Sequence, residues 1–594
     1  MGEPVDRQIS RRELLKIGAG AVAATALGTA LGAIGLRRAL GQTSRPKRPN
    51  ILFVFSDEHR WCSLPFTETP QVVAPNMTRL AREGMRFDNC CSTSPICIPY
   101  RGMLLTGQWP HQSRCISNDY FENGDVIGVT SPTLAQTFKK AGYATGYVGK
   151  WHLRNETAKN AGFDTFKHWL YGDNHWETPV RDESTGEDFK PVKGYNAIGM
   201  TDQALDFIKA SAKGDKPWLL MLSINPPHFR WDDAPEEFVK LYPQDKLAFR
   251  PNVTADRYKQ GNELRDYQHY HAHITAVDGQ LGRLMDELKK MGLAEDTILI
   301  YTSDHGSSFG SNGVGSKGNP FDEAVRVPFL VRWPGHVPVD KTADNNMGTI
   351  DLFPTLCGLA GIKPPKECGG QDFSPVMLGK TGPDPASQFL LVNNFQRNYD
   401  RTQLDPDGPN IFYPYRGVRT KRYTYAVYAK GEWLLYDNQK DPYQLKNLVN
   451  DPEYAPVKAE LKKELDGWLA KAENPYIPAA WAALPLPERI ALENRHYSLL
   501  PFRKRWDRLK ADALAGYLAQ AKTDGQKEQL RAAADRIYDE AFFGRYKALD
   551  TEIRATKRQS RRPLEDLKTE LAAHEAKAAA SLKAEAEKIL AATR

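Results

Sequence analysis

The chain has 594 residues, 41% of them hydrophobic and 26% charged, the balance of a folded protein rather than a disordered or fibrous one. That length exceeds one ordinary core and implies two or three domains. The formal charge of +7 is modest for the size. With no zinc-spaced cysteines and no RNA-binding aromatic motif, it gives no ground for a nucleic-acid function.

The N-terminus comes first. Ser10-Arg11-Arg12-Glu13-Leu14-Leu15-Lys16 precedes an Ala/Gly-rich run over residues 17–36, with small residues Ala39 and Gly41 placed for cleavage near Gln42. This resembles a twin-arginine export signal over residues 1–41. The run is long enough to span a bilayer, but its many Ala and Gly make it a weak anchor. Cleavage and release to the periplasm or cell exterior are expected, through the Tat export machinery. That route carries folded proteins.

Three continuous apolar runs follow at wide intervals. Asn50-Ile51-Leu52-Phe53-Val54-Phe55 ends in Ser56-Asp57-Glu58. Trp218-Leu219-Leu220-Met221-Leu222-Ser223-Ile224 ends in Asn225-Pro226-Pro227-His228, and Thr297-Ile298-Leu299-Ile300-Tyr301-Thr302 ends in Ser303-Asp304-His305-Gly306. Runs of this kind suit parallel strands buried on both faces, and open α/β sheets bind ligands beyond the carboxyl ends of their strands. A further strand over residues 143–148 leads into Gly149-Lys150-Trp151-His152. Amphipathic helices at residues 76–84 and 267–290 would cover the sheet. Asp57, Asp304 and His305, with Glu58 beside them, offer the oxygen and imidazole ligands of a Ca²⁺ or Mg²⁺ site. An Asp at a strand end is often a helix N-cap, a use that fits one of these residues and not the set. Seven cysteines, Cys62, Cys90, Cys91, Cys97, Cys115, Cys357 and Cys368, leave disulfide pairing open after export.

Cys97-Ile98-Pro99-Tyr100-Arg101 reads C-x-P-x-R and runs into the apolar turn-and-helix segment Gly102-Met103-Leu104-Leu105-Thr106-Gly107. Together with Gly149-Lys150-Trp151-His152, Asn225-Pro226-Pro227-His228, Gly315-Ser316-Lys317-Gly318 and the segments at 323–335 and 351–356, it resembles the formylglycine-dependent (type I) sulfatases of the alkaline-phosphatase-like superfamily. The resemblance covers residues 49–471 in family order. It implies an α/β fold with a large mixed, mostly parallel sheet flanked by helices. It implies that a maturation enzyme, reading the proline and arginine, oxidises Cys97 to formylglycine, whose hydrate is the nucleophile. By the same resemblance Asp57, Asp304, His305 and the modified Cys97 hold the cation, Lys150 contacts the sulfate and His152 serves the formylglycine hydroxyl. His228 and Lys317 hold the ester and assist the leaving oxygen, and Arg101 positions the hydrate. Glu58 departs from the family, many of whose members carry Asp or an amide there, and Ile98 and Tyr100 are bulkier than usual.

Residues 361–388, rich in Pro, Gly and Lys, read as a linker or excursion. Alternating segments at 415–428 and 432–436 and a helix over 456–472 resemble the small C-terminal α+β subdomain of sulfatases. The tail is helical in composition, with breaks near Asp524-Gly525 and Arg562-Pro563. Its Leu564, Leu567, Leu571 spacing falters too soon for a long coiled coil. A helical hairpin or small bundle is expected, packed on the body or on a second subunit. The expected organisation is a leader over 1–41, a catalytic domain over 48–385, a subdomain over 386–473 and a helical extension over 474–594. The expected activity is hydrolysis of a sulfate monoester on a carbohydrate. The alternatives are a phosphonate monoester or phosphodiester hydrolase of the same fold and a noncatalytic glycan-binding protein. The last sits poorly with Asp57, Lys150, His152, His228, Asp304, His305 and Lys317 occurring together.

Overall fold

Strands without polar alternation need cover on both faces, and the three apolar runs have it. The computed structural model describes residues 48–67, 71–113, 115, 118, 131–153, 161–169, 175–392, 415–428, 431–472, 510–534, 536–538 and 564–591. The leader lies outside them. The strands are β1 (Asn50–Ser56), β2 (Met85–Phe87), β3 (Cys90–Cys91), β4 (Ala144–Lys150), β5 (Thr165–Trp169), β6 (Pro179–Asp182), β7 (Glu187–Pro191) and β8 (Trp218–Ile224). They continue with β9 (Thr297–Ser303), β10 (Phe329–Arg332), β11 (Lys341–Ala343), β12 (Met347–Gly348), β13 (Ser387–Val392), β14 (Tyr415–Thr420), β15 (Tyr423–Tyr428) and β16 (Gly431–Asp437). Ten form one sheet in the order β11-β2-β10-β9-β1-β8-β4-β5-β6-β7. β1 lies between β8 and β9, parallel to both, and every residue of the three is buried. The stretch β9-β1-β8-β4-β5 is all parallel, while β10 and β6 pair antiparallel on the two sides.

Period-two alternation sends Ile51, Phe53, Phe55, Leu219, Met221, Ile298 and Ile300 into one core. Leu52, Val54, Leu220, Leu222, Leu299 and Tyr301 enter the other. Each such side chain contributes about 1.5–3 kcal/mol by leaving water. The second core is covered by α1 (Pro75–Arg82), α3 (Asn196–Ser211) and α4 (Gly261–Lys290), through Met77, Leu80, Met200, Ala204, Ile274 and Leu281. The first is covered in part by α2 (Cys97–Thr106), through Leu104 and Leu105. α4 begins six residues before its expected start of 267, because its polar first turns lack the apolar spacing that marks the rest. β4 runs on to Lys150, beyond the expected strand over 143–148.

Of the two readings of residues 361–388, linker or excursion, the linker is overturned and the segment is an excursion packed on the body. Phe373 and Met377 are fully buried in the first core, and the Asn346 side chain donates to the carbonyls of Pro385 and Ala386. Proline and glycine here mark irregular backbone, not detachment from the body. β13 to β16 form an antiparallel sheet. One face packs on α5 (Ala455–Lys471) through Leu461, Leu465 and Leu469, together with Met103, Trp109 and Ile350 of the large sheet's side. The other packs on Ile96, Val314 and Phe321, so the small sheet braces the residue that precedes Cys97. In the tail, α6 (Leu564–Ala591) meets the helical residues at 510–538 through Ala534, Tyr538, Ala578 and Leu582. Among the described residues no helix is long and apolar enough to cross a membrane. All seven cysteines are free thiols.

Candidate active site

The site grows from the carboxyl ends of β1, β8 and β9. The backbone ladder continues one residue past the strands, Asp57 N donating to Ile224 O at 3.0 Å and Asp304 N to Ser56 O at 3.1 Å, so the two carboxylates stand side by side. Glu58 then turns in a left-handed conformation, φ 73°, and its N–H donates to Asp304 Oδ1 at 3.1 Å. Asp304 Oδ1 also accepts from His305 N at 2.8 Å. Non-glycine residues in that region store strain, and they cluster at functional sites.

Cys97 lies in the first turn of α2, earlier than the helix start expected after Arg101, and the whole helix is buried. Pro99 is tolerated because a first-turn N–H has no intrahelical partner. Arg101, one turn on, shares the Cys97 face of the helix. Its Nη2 donates to Asp57 Oδ2 at 2.9 Å and Asp304 Oδ2 at 3.3 Å, and its Nη1 to Ser223 Oγ at 2.8 Å and Lys150 O at 2.7 Å. The guanidinium thus grips the two carboxylates and the end of β4. Cys97 Sγ lies 3.2 Å from His305 Nε2, 3.3 Å from Lys317 Nζ and 3.7 Å from Asp57 Oδ1. Burial and Asp57 push the thiol pKa up, but Lys317, His305 and Lys150 outweigh them and hold it well below its ordinary value. The helix N-terminus favours an anion at the same place.

Lys150 closes β4 with Nζ 2.8 Å from Asp57 Oδ2. Gly149 before it has φ 118°, and a Cβ there would lie 1.9 Å from Ser223 O, so only glycine lets β4 approach β8 this closely. His152, φ 57°, has the Cys97 side chain as a hydrogen-bond partner. Burial, with Lys150 and Arg101, brings its pKa down to about 4 against the opposing pull of Cys97. His228 donates Nδ1–H to Phe229 O at 2.7 Å and turns Nε2 toward Glu58 Oε2 at 3.6 Å and Asp57 Oδ1 at 3.8 Å. Lys317 Nζ reaches Glu58 Oε2 at 3.2 Å.

Asp57, Cys97, Asp304 and His305 each offer a ligand atom, all within 4.8 Å of one another. His305 donates Nδ1–H to Gly306 O at 2.9 Å, which turns Nε2 toward the group; burial lowers its pKa, but Asp304 and Cys97 outweigh it and raise it to about 9, so a bound cation would take the place of the Nε2 proton. Burial and Asp57 push the Asp304 carboxyl up to about 7, although His305 and Arg101 pull it down. Asp57 is held well below its ordinary value despite burial, by Lys150, His228, Lys317 and Arg101. Two crowded carboxylates and an oriented imidazole fit a divalent cation. Glu58 falls in a separate group with Asp57 and His228, where it faces Lys317.

All ten expected residues therefore gather at one place, His152 partly buried and the other nine buried. Sequence reasoning missed their supports: Ser223 beneath Arg101, Tyr147, whose hydroxyl donates to Lys150 O at 2.5 Å, and Ser92, which donates to Asp304 O at 2.5 Å. Ser223 had a signal, a lone hydroxyl inside an otherwise apolar buried strand.

The sulfatase family model matches residues 49–362, more than half of the chain, and the model for the C-terminal part of N-sulphoglucosamine sulphohydrolase matches residues 310–471. An ulvan-active sulfatase of Formosa agariphila is 34% identical over 447 residues, 72% of this chain and 83% of that protein. An N-acetylglucosamine-6-O-sulfatase of Bacteroides thetaiotaomicron is 27% identical over 507 residues, 72% of this chain and 87% of that one. The solved structure of YidJ from Bacteroides fragilis, 26% identical, superposes with a TM-score of 0.64 over 74% of this chain and 99% of that one. On these matches the chain belongs to the sulfatase family, whose members hydrolyse sulfuric esters.

Proposed function

We propose that the protein removes sulfate from a sulfated carbohydrate, using a formylglycine made from Cys97 and a Ca²⁺ or Mg²⁺ ion held by Asp57, Asp304, His305 and the modified Cys97. The observation that carries this reading is the convergence of Lys150, Lys317, His152 and His228 on the Cys97–Asp57 pair. Cys97 Sγ marks the place of the hydrate oxygens. The hydrated aldehyde supplies the nucleophilic oxygen, and the cation supplies charge that draws the ester's oxygens and makes the hydrate more acidic.

The chain's own residues do the rest. Arg101 keeps the two carboxylates aimed. Lys150 and Lys317 set positive charge where negative charge grows on the sulfate oxygens, in a water-poor site where each such group counts for more. Glu58 holds the Lys317 ammonium toward Cys97. His152, neutral at pH 7 with a pKa near 4, is placed to take a proton from a hydroxyl on the residue-97 side chain. His228, its Nδ1–H tied to Phe229 O, presents Nε2 to the leaving oxygen.

The carbohydrate class is supported by the relative named as an N-acetylglucosamine-6-O-sulfatase. Export rests on the twin-arginine motif at Arg11-Arg12 and on the small residues near Gln42, and it places maturation in the cytoplasm before release to the periplasm or beyond. Rates on nitrophenyl sulfate, bis(nitrophenyl) phosphate and monosulfated hexosamines test the reading. Sulfate esters are expected to be cleaved fastest, with the sulfated sugar turned over. A faster rate on the phosphodiester would make the protein a phosphohydrolase of this fold.

A further inference from the structure

Beside the expected site lies a string of groups, buried but for the partly exposed Asp233, that the reaction as derived does not use. The loop that carries His228 runs on to Asp233, whose Oδ1 accepts from His175 Nδ1 at 2.6 Å and whose Oδ2 accepts from His175 N at 3.2 Å. Behind Asp233 stands His273 of α4, with Nε2 at 3.5 Å from Asp233 Oδ1. His273 Nδ1 is held by the Tyr195 hydroxyl at 2.6 Å. Burial drives the Tyr195 pKa well above its ordinary value, so the phenol keeps its proton and donates it to Nδ1. His273 then carries its own proton on Nε2, with Asp233 Oδ1 and the backbone carbonyls of Arg230 and Trp231 around the imidazole. His175 in turn carries its proton on Nδ1, which leaves the Nε2 lone pair at the end of the string.

That Nε2 is buried and has no hydrogen-bond partner among the described residues, and the His175 side chain is 0% exposed. A buried acceptor of this kind is costly unless something occupies it. His175 stands near enough to the expected site that His228 and Lys150 add to burial in holding its pKa below the ordinary value, against the pull of Asp233. The imidazole is therefore neutral, an acceptor at Nε2. Two large apolar side chains on the segments that carry His175 and Asp233 are open to solvent, Trp176 and Phe229, 39% and 42% exposed. The Trp176 indole is tied to Asp233 O at 2.6 Å, and Phe229 follows His228. Aromatic faces beside a buried, oriented acceptor suit a sugar ring, which has apolar faces and hydroxyl edges.

We propose that His175 is a substrate-contacting, specificity-determining residue, its Nε2 accepting a hydrogen bond from a hydroxyl of the sulfated sugar, with Asp233, His273 and Tyr195 as the residues that position it. This rests on the carbohydrate reading above. A nitrophenyl ring has no hydroxyl to give, so the two substrate types separate this role from a structural one.

The test uses the full-length, matured enzyme, with monosulfated galactose, glucose and N-acetylglucosamine set against nitrophenyl sulfate. His175→Ala is expected to lower the ratio of kcat/KM, best sulfated sugar over nitrophenyl sulfate, by about 10- to 100-fold. His175→Gln, which returns an acceptor, recovers part of the ratio, and Asp233→Asn lowers it in the same direction. Equal losses on both substrate types in His175→Ala overturn the inference alone. So does a second equivalent of bound divalent metal that the Asp233→Asn variant loses, because it would make His175, Asp233 and His273 a metal site. A wild-type enzyme that cleaves nitrophenyl sulfate and none of the sugars overturns the carbohydrate reading, and this inference with it.

Discussion

Lys317 shows what one side chain contributes. It stands 3.3 Å from Cys97 Sγ and 3.2 Å from Glu58 Oε2, so its charge meets the reacting centre at fixed range. Lys317→Ala should lower kcat on every sulfate ester by about 10²–10³, the scale of a lost preorganised donor, as steady-state kinetics would measure. The cation site makes a second prediction at this scale. Dialysis against a chelator should abolish turnover, and Ca²⁺ or Mg²⁺ should restore it. The metal should also raise the melting temperature, since at 100 times its Kd a ligand of the native state adds about 2.7 kcal/mol. Asp57, Lys150, Asp304 and His305 were legible because each follows an apolar run that has to be a buried strand. The partners of Arg101 were not. A guanidinium's five donors fit hydrates and carboxylates alike, and only the helix register turns them onto Asp57 and Asp304. Glu58 was legible as a neighbour of the site, but its left-handed backbone, which turns the carboxylate to Lys317, leaves no mark in composition.

At the scale of elements, the close pass of β4 over β8 depends on Gly149. Gly149→Ala meets both a positive φ and the Ser223 carbonyl oxygen. It should cost about 2–4 kcal/mol by denaturant titration and move Lys150 enough to reduce activity as well. The junction between the two sheets depends on Asp322 and Arg419, whose guanidinium reaches both carboxylate oxygens at 2.8 and 2.9 Å. Burial pushes the Asp322 carboxyl up, and Arg419, Arg326 and Arg250 outweigh it and bring the pKa to about 2. An unfolded Asp titrates near 3.9. The folded value is the lower of the two, so this pair's contribution is complete above about pH 4 and is lost as pH falls toward 2. It amounts to about 2 kcal/mol across that window. Asp322→Asn should cost about 3–5 kcal/mol at neutral pH and flatten stability between pH 4 and 2, read from unfolding curves at several pH values. The strands of this junction were legible from alternation at 415–428. The ion pair was not, since its partners are 97 residues apart.

For the whole molecule, one ten-stranded sheet carries the reacting groups at strand ends, and the small sheet seals the side of α2 through Ile96. The large sheet could be read from three separated apolar runs. The packing of residues 361–388 could not, because glycine and proline report backbone shape and not burial, and Phe373 with the short run Val376-Met377-Leu378 is a weak sign of a core. Among the described residues, the five apolar clusters of the body draw on residues up to Ala472, and the tail's own cluster joins only residues from Ala513 onward. A chain ending at residue 473 should keep kcat within about twofold and melt within a few degrees of the full chain, as surfaces that share no core are close to additive. The central claim is the nucleophile. It is tested most directly by alkylating the protein matured in its own host and weighing the tryptic peptide Phe87 to Arg101, which holds Cys90, Cys91 and Cys97. An aldehyde at Cys97 with alkyl groups on Cys90 and Cys91 is the predicted result. Three alkylated thiols in enzyme that still cleaves sulfate esters would contradict it.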